Sequence, residues 1–226
     1  MQEMKKENRS LYVAGGISLI AIGAILLFVL PLLAVMMPVL LATSIPSALN
    51  SLNSLALPDK VFFALLAVND LLYLVAFAAL YYAVRSARGS LPLLALLFIL
   101  IAVSVDLATD IPLHFVVLST ASSYASASTT ASQSAYAASG SLALGLGNAG
   151  GLIAQLPLSI AEIMIGYAML KRKEFGKFAG WSGIGAGALT LPIFPLMGSA
   201  GGLVYIIGFV FNIVWSFSAG LKLYRL

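Results

Sequence analysis

The chain has 226 residues, 61% of them hydrophobic and 9% charged, with no cysteine and a formal net charge of +4. A soluble domain is about 45–50% apolar and about 25% charged, so a water-soluble fold is excluded and lipid is the solvent that fits. Having no cysteine excludes disulfides, thiolate metal sites and cysteine nucleophiles, and basic residues scattered in short tufts between apolar runs exclude nucleic acid and point to the anionic leaflet of a bilayer.

Crossing a hydrocarbon core takes about 20 apolar residues at about 1.5 Å each. The first stretch of that kind runs from Leu11 to about Leu41. Lys5, Lys6 and Arg9 precede it, as in a signal peptide, but a signal peptide's apolar region is only about 7–15 residues. No small-residue cleavage site follows, so this is a retained helix, bent or broken near Pro31 and Pro38. Residues 42–60 are mildly polar and have room for a short interfacial helix. The second stretch covers Val61 to about Val84 and the third Leu91 to about Leu118. Residues 119–139 form an extracellular segment without charge, dominated by Ser, Ala and Thr. Such low complexity suits a flexible linker, while its alanines equally suit a helix extending outward from span four. Span four ends at Leu170 and begins between Ala135 and Leu152. Span five covers about Phe178 to Met197 and span six about Leu203 to Leu221.

Orientation follows from the basic residues. Lys5, Lys6 and Arg9 precede the first span, and Arg85 and Arg88 lie between the second and third. Lys171, Arg172, Lys173 and Lys177 lie between the fourth and fifth, and Lys222 and Arg225 follow the sixth. With six spans, eleven of the twelve basic residues share one side and only Lys60 faces the other. That asymmetry predicts an all-α, polytopic bundle of six helices forming one domain over residues 1–226. Its tail (1–10) and its C-terminus are cytoplasmic, in the cell membrane. No internal repeat stands out.

Of the eight acidic residues, Glu3, Glu7, Asp59 and Glu174 fall in tails or loops, while Asp70, Asp106, Asp110 and Glu162 fall within or beside spans. No Lys or Arg lies deep in a span, and His114 is the only nearby cationic candidate. A carboxylate in hydrocarbon must protonate, bind a cation or meet water, so ionisable groups at depth are functional candidates. Helix rise puts Asp70, Glu162 and Asn212 about 14–15 Å below the outer boundary, with Asp106 in the outer half. Asp106, Asp110 and His114 stand four residues apart on one helix face, and Pro112 beside them frees a backbone carbonyl. Together these residues outline a proton or cation path opening outward. The competing reading makes them a polar stripe facing a solvated vestibule, or interhelical hydrogen bonds.

No catalytic, cofactor or metal motif is present. One His and no Cys do not make a zinc or haem site, and retinal lacks its buried Lys. Gly183 with Gly187, and Gly147 with Gly151, have the spacing that lets helices approach closely. Trp181, Tyr81, Tyr82 and Tyr224 lie near the inner boundaries, where aromatic rings anchor spans.

The basic N-terminus entering the first helix (KKENRSLYVAGG) and the stretch MIGYAMLKRKEFGKFAGWSGIGAGALTL carry a resemblance. Over most of its length the chain resembles a family of prokaryotic six-helix membrane proteins known only as a domain of unknown function. The resemblance implies the fold and assigns no activity, substrate or catalytic residue. Two functional readings stand: a non-catalytic subunit packed among other membrane subunits or copies of itself, or a small carrier of protons, cations or a solute. An intramembrane enzyme ranks third.

Overall fold

The computed structural model describes residues 8–40, 42–85, 89–193 and 198–226. It is 88% helical, without strands among the described residues. The helices are α1 Arg9–Leu40, α2 Ile45–Ser54, α3 Ala56–Val84, α4 Leu91–Ala108, α5 Asp110–Ser126, α6 Thr130–Met169, α7 Gly176–Leu189 and α8 Gly198–Tyr224. Among the described residues five stretches are long and apolar enough to cross a membrane: α1, α3, α4 continued by α5, α6, and α8. This is the architecture of a multi-pass membrane protein.

Several expectations change. Helix α1 continues through Pro31 and Pro38 instead of breaking. The expected interfacial helix within residues 42–60 is α2, while α3 already starts at Ala56, so Asp59 lies on a helix and not in a loop. Residues 119–139 are mostly helical, because α5 runs to Ser126 and α6 begins at Thr130, ahead of the expected start. Pro112 sits in the first turn of α5, where an N–H has no intrahelical partner, and the chain breaks between α4 and α5 at Thr109. Fourteen residues of α7 stand where span five was expected. They reach about 21 Å, short of a core about 30 Å thick. Pro192 supplies a reason for this early end, since it has no N–H for the Ala188 carbonyl and holds Leu191 away from helical geometry. Lys5, Lys6, Arg88, Glu3, Glu7, Leu41 and Met197 lie outside the described residues.

The chain forms two compact units. The first comprises the described residues up to Leu27 with Asn69–Ser104 and Ile153–Leu226; the second comprises Phe28–Val68 and Val105–Leu152. In α1 and α6 the division falls at the carbonyl a proline releases: Pro31 leaves Leu27 without its donor, and Pro157 leaves Ile153.

Glycines set the packing of the first unit. A Cβ on Gly166 would stand 2.7 Å from the Ile184 amide nitrogen and 2.8 Å from the Gly180 carbonyl, so α6 and α7 cross backbone to backbone. Gly187 faces the Ser159 carbonyl at the same crossing. Helices α1 and α8 meet likewise, since a Cβ on Gly16 would fall 2.7 Å from the Tyr224 nitrogen. Gly176, with φ of +73°, adopts the left-handed conformation that lets the tight turn after α6 feed into α7. Trp181 and Tyr224 are exposed, and Arg85 lies over the Tyr82 ring.

The second unit is built around Met36, Leu49, Leu52, Val117, Leu118, Ala121 and Ala143. Ser44 caps α2 by accepting from the Ser47 N–H at 3.3 Å. Ten residues do not hold a helix alone; Leu49 and Leu52, one turn apart and fully buried, bind α2 into this core.

Gly166→Ala forces backbone apart and is expected to cost about 2 kcal/mol or more. Gly145→Ala meets nothing within 4 Å and is expected to be neutral or to gain up to about 1 kcal/mol of helix propensity. Thermal unfolding of the detergent-solubilised protein compares the two.

Candidate functional site

Glu162 lies on α6, seven residues before the end of the helix at Met169, and has no exposed surface. Asn212 of α8 donates to its Oε1 through Nδ2 at 2.6 Å. The Tyr73 hydroxyl of α3 stands 3.3 Å from the same oxygen and 3.0 Å from Asn212 Oδ1. The Ser216 hydroxyl donates to Asn212 Oδ1 at 3.2 Å. Tyr73 has one hydroxyl hydrogen and two acceptors, so it serves Glu162 or Asn212 but not both. Glu162 Oε2 is buried with no hydrogen-bond partner among the described residues. A carboxylate so placed loses hydration that fixed donors only partly replace. The donors reaching this centre come from an amide, a phenol and an alcohol, without a cation in the network.

The same face of α6 continues upward through Ser159 and Gln155, at i−3 and i−7 from Glu162. Thr190, the cap residue after α7, donates to the Ala186 carbonyl at 2.8 Å. Its single hydroxyl hydrogen is thereby used, so Ser159 donates to Thr190 across 3.2 Å. Gln155 in turn donates to Ser159 at 3.2 Å, and Tyr205 of α8 donates to Gln155 Oε1 at 3.5 Å. These donors form one directed chain ending on α7.

The second unit holds a different arrangement. His114 Nε2 of α5 lies 2.5 Å from Asp59 Oδ2 of α3, with side-chain exposures of 12% and 0%. The imidazole stacks on Phe63, one turn along α3 from Asp59, at a centroid distance of 3.4 Å and 16° between planes. Asp59 Oδ1 has no hydrogen-bond partner among the described residues. Asp110 rests on the glycine face of α6: a Cβ on Gly147 or Gly151 would stand 3.4 Å from its carboxylate oxygens. This glycine pair therefore seats a carboxylate.

The six residues singled out from sequence divide between the units. Asp70, Glu162 and Asn212 belong to the first, and Asp106, Asp110 and His114 to the second. Glu162 and Asn212 are joined directly. Asp70 stands half-buried on α3 next to the buried Asn69, and Asp106 is half-buried near the end of α4. Among the described residues no group of three or more acidic or histidine side chains is arranged to hold a metal ion. Sequence reasoning missed Asp59, Tyr73 and Ser216. The i, i+4 spacing of Asn212 and Ser216 was a readable signal, as was the i, i+4, i+7 series Gln155, Ser159, Glu162. No family model, curated protein or solved structure matches the chain.

Removing one partner of a buried hydrogen-bonded pair leaves the other unsatisfied. His114→Ala is expected to destabilise the protein by about 1–3 kcal/mol, and the double change Asp59→Leu with His114→Leu by much less. Thermal shift of the three proteins in one detergent tests this; equal losses would show that the pair is not coupled.

Proposed function

We propose that the protein is a proton carrier of the cell membrane, in which Glu162 takes up a proton from one side and releases it to the other. The observation that carries this reading is a fully buried carboxyl whose Oε2 has no hydrogen-bond partner among the described residues. A purely structural join between α3, α6 and α8 needs only one acceptor, and a glutamine amide would provide it without the cost of an ionisable group in a bundle interior. The carboxyl is the feature that a packing role leaves unexplained.

The surroundings favour a proton over a metal cation. A cation needs several converging oxygen acceptors, whereas Asn212 and Tyr73 direct hydrogens at Glu162. When Glu162 is ionised, Oε1 accepts from both. When it carries a proton, Tyr73 turns its hydrogen to Asn212 Oδ1, 3.0 Å away. One hydroxyl rotation thus follows each change of charge, and both states keep Asn212 bonded.

The reading includes six crossings with both termini cytoplasmic. What supports it is the distribution of basic residues: five crossings would put Lys222 and Arg225 opposite Lys171, Arg172, Lys173 and Lys177. In this arrangement α7 belongs to the fifth crossing.

Reconstituted into liposomes holding a pH-sensitive dye, the protein is expected to dissipate an imposed pH gradient. Glu162→Gln is expected to lower that flux at least tenfold while elution volume and melting temperature hold; undiminished flux removes the proposal. For topology, a fluorescent protein fused to the C-terminus is expected to glow and alkaline phosphatase fused there to be silent. Active phosphatase would put the C-terminus outside and remove this topology.

A further inference from the structure

The two ends of the Glu162 site differ in what closes them. Toward the basic turns, the next residues on the same face of α6 are Ile165 and Met169, both fully buried. Gly166 locks that segment against the backbone of α7. Trp215 fills the space beside Gly183, fully buried, and its indole nitrogen has no partner among the described residues. No polar side chain interrupts this seal on α6 between Glu162 and Lys171 apart from the exposed Tyr167. Glu162 lies only about 10 Å from that end of α6 by helix rise, yet the short way is the dry one.

Toward the other end the closure is thin and polar. Gln155 is half-buried, Ser159 below it is fully buried, and the two are joined by one hydrogen bond of 3.2 Å. Above Glu162, the Ser159 hydroxyl meets α7 at Thr190, 3.2 Å away, and the Ser159 carbonyl faces Gly187. Thr190 caps α7, and the described residues after it are not helical, so its displacement breaks no continuing helix. A hydroxyl pair can part and accept water in exchange, whereas the crossing at Gly166, on the basic side of Glu162, has no room for water without separating two backbones.

We infer that Glu162 exchanges its proton with the side away from the basic turns, along the face of α6 bearing Gln155 and Ser159. The Ser159–Thr190 hydrogen bond is the gate on that path, and the described state is the closed one. This inference rests on the carrier reading above and adds the direction of access and the residues that control it. On this side the proton passes from hydronium in water admitted beside Ser159 to a Glu162 carboxylate oxygen: one O–H bond of the hydronium breaks, one O–H bond to the carboxylate forms, and a water molecule is left.

The chain has no cysteine, so single thiols can be introduced without background. Gln155→Cys, Ser159→Cys and Ile165→Cys are reconstituted in sealed vesicles, and a membrane-impermeant, positively charged methanethiosulfonate is added to one face at a time. Gln155→Cys and Ser159→Cys are expected to react from the face away from the basic turns, Gln155→Cys faster, and Ile165→Cys from neither. In a fourth variant, Glu162→Cys, which keeps the Ser159 hydroxyl, adding Thr190→Val is expected to raise the labelling rate from that face several-fold. Labelling of Ile165→Cys from the basic face, silence at both Gln155→Cys and Ser159→Cys, or an unchanged rate with Thr190→Val overturns the inference. Labelling reads access and flux reads Glu162, so the two proposals fail separately. A protein that labels as expected but moves no protons loses the carrier reading, and one that moves protons with silent thiols loses this route.

Discussion

The first unit depends on how closely α6 and α7 approach. Lipid tails are as apolar as leucine, so no hydrophobic force gathers helices in a bilayer, and association draws on packing and interhelical hydrogen bonds. Gly166, Gly180 and Gly183 remove the side chains that would hold the two backbones apart. That contact carries Ser159 within hydrogen-bond reach of Thr190 and presents the Glu162 face of α6 to its neighbours. With a methyl group at Gly166, the backbones must separate, and every polar contact across this crossing lengthens with them.

Two buried acids are handled by different means. Asp59 meets an imidazole held flat against Phe63, so its Oδ2 has a direct hydrogen-bond partner. Glu162 meets neutral donors and keeps one oxygen unmatched. The first solution favours a fixed contact between α3 and α5. The second tolerates a change of charge, because the Asn212 amide stays bonded to either form of the acid while the Tyr73 phenol turns its hydrogen between the acid and Asn212 Oδ1.

Much of the fold was legible because lipid imposes a simple rule of length and composition. The long apolar runs became α1, α3, α4 with α5, α6 and α8, and the prolines marked where regularity weakens. Asp59 was not legible: it follows Pro58 in a polar stretch that reads as a loop, and its partner His114 is 55 positions away. Pro58 is in the first turn of α3, where a proline is compatible with helix, so the same letters fit both readings. Tyr73 was hidden among aromatic and aliphatic neighbours, since periodicity cannot tell a buried phenol that bonds from one that only packs. Attention to charge found Glu162 and passed over Gln155 and Ser159, whose spacing alone placed them on its face. The end of α7 shows the opposite case, where apolar composition across residues 178–197 outweighed the proline that bears on its length.

The placement of the two tryptophans has a consequence for how the molecule can be observed. Trp181 is 61% exposed on α7, while Trp215 is fully enclosed and sits edge-on to Phe77, the neighbour of Tyr73. An indole in a dry, rigid setting emits at shorter wavelength and is shielded from quenchers, while one at the periphery meets whatever surrounds the protein. The chain thereby carries two intrinsic optical reporters with separable signals. The inner one stands beside the aromatic rings leading to Glu162, so rearrangement there changes its colour and lifetime without any attached dye.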